Sequence, residues 1–96
     1  MKTSTFTVNN VGDPEQVAAT IACREISIAE DPSVTGYPIN DYKVYGTAKG
    51  STAIRVPIGS SFVFKREYGQ ASYLSGEIVG YVETVQGATT FQKVER

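Results

Sequence analysis

Leucine is a strong helix former and one of the commonest residues of globular proteins. In this chain it occurs only at Leu74, and methionine occurs only at Met1. Thr, Val, Ile, Tyr and Phe carry the core-forming content instead, in short runs broken by Gly and Pro. Such side chains fit a pleated, half-buried surface better than the side of a helix. A chain with this palette is constrained to build its core from strands. The best helical candidate is residues 14–20, with Asp13 placed to cap it and Pro14 suited to a first helical position. Seven residues cannot sustain a helix without tertiary packing, so a single turn is expected there.

Period-two alternation marks seven strand candidates. Residues 3–9 place Phe6 and Val8 on one face. Residues 21–29 carry Ile26 and Ile28 on one parity and Ile21 and Cys23 on the other, which indicates a bulge or a strand covered on both faces. Residues 41–47 carry Tyr42 and Val44, with Tyr45 facing the other way. In residues 52–58, Ile54, Val56 and Ile58 are expected inside and Ala53 and Arg55 outside. Residues 61–66 repeat the pattern with Phe62 and Phe64. Residues 77–85 are apolar on both parities, through Ile78, Val79, Tyr81, Val82 and Val85, and read as the most central strand. Residues 88–95 close the chain with Phe91 and Val94. Ile26, Ile28, Val56, Phe62, Phe64 and Val82 are the expected core.

Turn chemistry separates the runs. Pro32 ends the second one, because proline cannot continue a central ladder. Residues 46–51 contain two glycines and suit a hairpin tip. Pro57-Ile58-Gly59-Ser60 reads as a tight turn, and Gln86-Gly87 as a short hairpin between the last two strands. The connection over residues 31–40 is long enough to cross between sheets. The expected fold is all-β: a small β-sandwich or barrel of about seven short, mainly antiparallel strands. Residues 1–96 form a single domain, since 96 residues do not provide for two cores.

Charge and cysteine content narrow the chemistry. Nine Lys+Arg against ten Asp+Glu give a net charge of -1, which argues against bulk attraction to nucleic acid or an anionic membrane. Without histidine and with one cysteine, the chain has no Ser-His-Asp or Cys-His pair, no His-ligated metal, no Cys-rich zinc site and no intrachain disulfide. No cofactor is expected. The polar N-terminal residues do not form a signal peptide, and no apolar run is long enough to span a bilayer. Cys23 suits a reducing compartment and reads as a small buried hydrophobe. A reactive thiol lowered by neighbouring Arg24 is the alternative.

Three groups invite a functional reading. Glu30, Asp31 and Asp41 resemble hard-cation ligands, but their spacing matches no calcium loop, and solvated turn acids are expected. Lys65 and Arg66 lie near Tyr68 and Tyr73, an arrangement used on single-stranded nucleic acid. Without a basic stripe, a charged edge-strand terminus is the better reading. The loop tyrosines Tyr37, Tyr68 and Tyr73, with Ile39 and Leu74, are the candidate partner-binding residues. Apolar side chains in polar, Gly-rich loops have no core to enter unless the loop folds back or a partner covers them. The segment 1–5 is a second candidate, as a free strand able to add to a neighbour's sheet.

The run Ala22-Cys23-Arg24-Glu25-Ile26-Ser27-Ile28 resembles a strand of small β-rich virion proteins of tailed bacteriophages. There it follows a polar first strand and precedes a segment like Arg55-Val56-Pro57-Ile58-Gly59-Ser60-Ser61-Phe62-Val63-Phe64. Residues 80–91 are similar to the closing hairpin of that group. The resemblance implies a structural, non-enzymatic virion protein, made in the host cytoplasm, with no catalytic residues to carry over. A capsid decoration (auxiliary or cement) protein comes first, with the major capsid protein or another virion protein as partner, together with self-association. A head-fibre or tail-associated module, or a receptor- or carbohydrate-binding one, is the alternative, weakened by the absence of Trp.

Overall fold

The structure, a computed structural model, describes residues 1–31, 40–47 and 52–96. Those residues form eight strands and no helix: β1 (Lys2–Val8), β2 (Glu15–Ala18), β3 (Glu25–Glu30), β4 (Tyr42–Tyr45), β5 (Ile54–Val56), β6 (Phe62–Lys65), β7 (Ile78–Thr84) and β8 (Thr89–Glu95). They make two four-stranded antiparallel sheets, ordered β1-β8-β3-β6 and β2-β7-β4-β5. The sheets pack face to face as a sandwich. Phe91 of β8 meets Phe6 in a stack at 5.4 Å and Tyr42 of the facing sheet edge-on at 4.9 Å. Ile26, Ile28, Val56, Phe64 and Val82 are buried as expected, and Phe62 is half-buried against the Phe64 ring.

Several expectations are corrected. Residues 14–20 hold a strand, not a helical turn: β2 pairs with β7, and Val17 and Ala19 are buried at a period of two. Pairing with a long neighbour outweighs the weak local helix signal. Ile54 and Ile58 share a parity with buried Val56 yet are each 54% exposed. Parity decides the face but not the depth: β5 is a three-residue edge strand that Ile54 begins, and Ile58 stands beyond it on the Pro57 turn. Gln86-Gly87 is not a hairpin, because β7 and β8 lie in different sheets. The segment 1–5 is not free, since Lys2 to Thr5 already pair with β8.

Other readings hold. The chain changes sheets between β3 and β4. β7 is an interior strand with buried residues on both parities. The tight turn at Pro57 closes through the Ser60 amide donating to the Pro57 carbonyl at 3.1 Å, with Gly59 at a φ of 82°. That left-handed position is what a type II turn asks of its third residue.

The registers give the sandwich two ends. Val8, Glu15, Glu30, Tyr42, Thr84 and Thr89 lie at one, the Thr84 end. Lys2, Ala18, Glu25, Lys65, Ile78 and Glu95 lie at the other, the Glu95 end.

Candidate contact surface

Residues 66–77 join β6 to β7 across the Glu95 end, and they are fastened at several points. Arg24, just ahead of β3, continues its own sheet by accepting a hydrogen bond from the Arg66 amide at 3.0 Å. Its guanidinium then reaches into the loop and donates to the carbonyls of Gln70 at 2.7 Å and Glu67 at 3.0 Å. Within that first turn the Gln70 amide donates back to the Glu67 carbonyl at 3.1 Å, and the Glu67 amide donates to the Gln70 side chain at 2.9 Å. Cys23 and Tyr73 exchange backbone hydrogen bonds at 3.2 and 2.7 Å, an isolated bridge in the middle of the loop. A second turn follows, where the Glu77 carboxylate accepts from the Leu74 amide at 3.0 Å and Ser75 donates to the Thr20 carbonyl at 3.0 Å.

Arg66 ties the two turns together. It forms an ion pair with Glu77 and lies over the Tyr73 ring, 4.4 Å from its centroid. Tyr73 is 7% exposed, so its place among the partner-facing residues is corrected. The loop does fold back, and the bridge to Cys23 draws the ring into the core. Burial pushes the Tyr73 phenol above its ordinary value, and Arg66 draws it part of the way back.

Tyr68 and Leu74 are left on the two turns. Tyr68 is fully exposed at 105% and Leu74 is 69% exposed. Beside Tyr68 lies a shallow depression of about 510 Å³ lined by Arg24, Lys65, Arg66 and Glu67. A second one adjoins it, reaching Glu25 and Arg96. The result is a firmly held surface of apolar tips beside paired cations, suited to a polar-rimmed protein contact. Tyr37 and Ile39 lie outside the described residues.

The acids behave differently from the solvated turn expected of them. Glu30 is 6% and Asp31 7% exposed, and the Asn40 amide donates to Glu30 at 3.1 Å. Asp41 accepts from Arg55 at 2.7 Å. These carboxylates hold the Thr84 end together, so substituting Glu30 or Asp31 is not the neutral change expected of an exposed turn. Among the described residues no group of three or more carboxylate or thiol side chains is placed to hold a metal ion. Cys23 is buried, and its thiol is pushed up by burial and by Glu95. That matches the small-hydrophobe reading and not the reactive one.

Sequence reasoning passed over the fasteners. Arg24 stands out in the sequence only as a neighbour of Cys23 and as part of the 22–28 run, and nothing local to it signals contacts with residues more than forty positions away. Glu95 was also missed. It is fully buried, and its carboxylate accepts from the Thr20 amide and hydroxyl at 2.6 Å each and from the Ile21 amide at 3.4 Å. Comparison with known protein families, with characterised proteins and with solved structures finds no match.

Proposed function

We propose that this chain is a non-enzymatic structural protein of a tailed-phage virion, a capsid decoration protein that works by contact with the shell and with neighbouring virion proteins. The observation that carries this reading is the braced 66–77 loop, which presents Tyr68 and Leu74 to solvent from a compact β-sandwich. A braced loop loses little freedom when a partner covers it, so its apolar tips favour association at low entropic cost. The resemblance of residues 22–28 and 55–64 to small virion β-proteins supplies the setting.

Purified shells lacking the protein provide the test. The double variant Tyr68→Ala with Leu74→Ser is expected to weaken attachment by on the order of tenfold or more. Its melting temperature should stay at the wild-type value, because both side chains are exposed. Wild-type protein that ignores shells and binds a glycan instead would move the reading to a receptor-binding module.

A further inference from the structure

Formal charge is segregated along the strand axis. Among the described residues, the Thr84 end holds Asp13, Glu15, Glu30, Asp31, Asp41 and Glu83, with Lys43 and Arg55 as its cations. The Glu95 end holds Lys2, Arg24, Lys65, Arg66, Lys93 and Arg96, with Glu25, Glu67, Glu77 and Glu95 as its acids. By formal charge one end is therefore net acidic and the other net basic, in a chain whose total charge is only -1; Glu30, Asp31 and Glu83 are buried, so Asp13, Glu15 and Asp41 carry the acidic end's surface. So small a total leaves little like-charge repulsion between copies, while the opposed ends attract.

Each end also carries exposed apolar groups. Tyr68 and Leu74 stand at the basic end. At the acidic end Val11 is 56% and Ile58 54% exposed. Ile58 sits on the Pro57 turn and lines, with Asp41, Pro57 and Gln86, a shallow depression of about 350 Å³. An apolar tip flanked by cations and a depression lined by Pro57, Ile58 and the Arg55-paired Asp41, at the acidic end, complement each other in shape class and in the sign of the ends. Neither surface complements itself, so a symmetric pairing of like ends is disfavoured.

We propose that the chain associates with copies of itself head to tail, the basic end of one copy, led by Tyr68, seating on the acidic end of the next at Pro57 and Ile58. The proposal rests on the reading of the 66–77 loop as a protein-contact surface and names one partner for it. A contact of this heterologous kind leaves a free acidic end and a free basic end on every open assembly. It therefore propagates into rows or closes into a ring.

Two variants separate the ends, both built only at exposed positions. Lys65→Glu with Tyr68→Ser disables the basic end, and Ile58→Lys with Gln86→Lys disables the acidic end. In sedimentation velocity at low salt, wild-type protein should grow in mass with concentration. Its association should weaken by on the order of tenfold at high salt, as charged surfaces are screened. Each variant alone should stay at the monomer mass of 10.4 kDa. An equimolar mixture should form a one-to-one heterodimer and stop there, because one intact end of each kind remains.

Wild-type protein that stays monomeric at low salt overturns the proposal. So does a mixture that fails to pair, or a basic-end variant that still dimerises alone. Should Ile58→Lys unfold the protein, Gln86→Lys alone serves as the acidic-end variant, read by the same mixing. Shell attachment is scored separately with wild-type protein. Loss of pairing with shell binding intact removes only the head-to-tail contact, and pairing without shell binding removes only the virion setting.

Discussion

Gly80 shows how tightly single positions are set. A Cβ placed there would overlap the Phe64 ring and lie 2.6 Å from the Tyr45 carbonyl oxygen. The missing side chain lets β6 and β7 approach across the sandwich. Gly80→Ala is expected to cost about 1–3 kcal/mol through overpacking, seen as a lower midpoint in urea with an unchanged slope. The sequence could not show this, because an isolated glycine in a strand signals close approach without saying what approaches. Phe64, by contrast, was legible from alternation alone, since a strand with one covered face repeats its burial every second residue. Ile54 and Ile58 mark the limit of that logic. They have the right parity and still stand in solvent at the edge of a sheet.

At the scale of an element, the 66–77 loop contrasts two tyrosines five residues apart. Tyr73 is packed into the core under Arg66, while Tyr68 touches solvent on all sides. Tyr73→Ala should destabilise the fold by about 3–5 kcal/mol, as large-to-small changes at buried aromatics do. Tyr68→Ala should leave the thermal midpoint within error of wild type. Thermal melts of the two variants side by side check both, and equal losses would mean that the loop is not seated as described. Tyr68 stands between Glu67 and Gly69 and Tyr73 between Ser72 and Leu74, and since Leu74 is itself exposed, an apolar neighbour does not mark the buried ring. What separates them is the Cys23 bridge, a pairing across fifty residues that no local pattern announces. β2 escaped for a related reason. Its four residues owe their conformation to β7, and Asp13-Pro14 reads equally well as a helix start.

For the whole molecule, Glu95 links stability to acidity. Burial alone would raise its pKa, but the Thr20 hydroxyl and amide, Lys93 and the Ile21 amide outweigh that, and the carboxyl is held below its ordinary value. The unfolded chain therefore takes up this proton at a higher pH than the fold does. Stability from Glu95 is fully present above the ordinary carboxyl range and is lost as pH falls through the lowered native value. Glu95→Gln should cost about 1–3 kcal/mol at neutral pH by breaking charge-assisted hydrogen bonds. The gap from wild type should narrow in urea melts as pH falls from 6 towards 3; a gap that stays constant would show that the carboxylate does not titrate with folding. An all-β sandwich or barrel was legible from alternation and turn chemistry, and the two packed sheets decide for the sandwich. Its wiring was not, because period-two patterns carry no label for which sheet a strand joins.

That wiring has a kinetic consequence. Of the consecutive strands described, only β4 and β5 pair with each other, and every other step along the chain changes sheets. Nearly all of the ladder thus joins segments far apart in sequence, down to β1 against β8 at opposite ends of the chain. A growing polypeptide cannot complete the β2-β7-β4-β5 sheet until β7 has emerged, nor the β1-β8-β3-β6 sheet until β8 has. Loop-closure entropy must be met several times before burial rewards it. Refolding should accordingly be slow for a chain this short, in the millisecond-to-second range of all-β domains. Stopped-flow dilution from urea measures it, and microsecond refolding would contradict the topology.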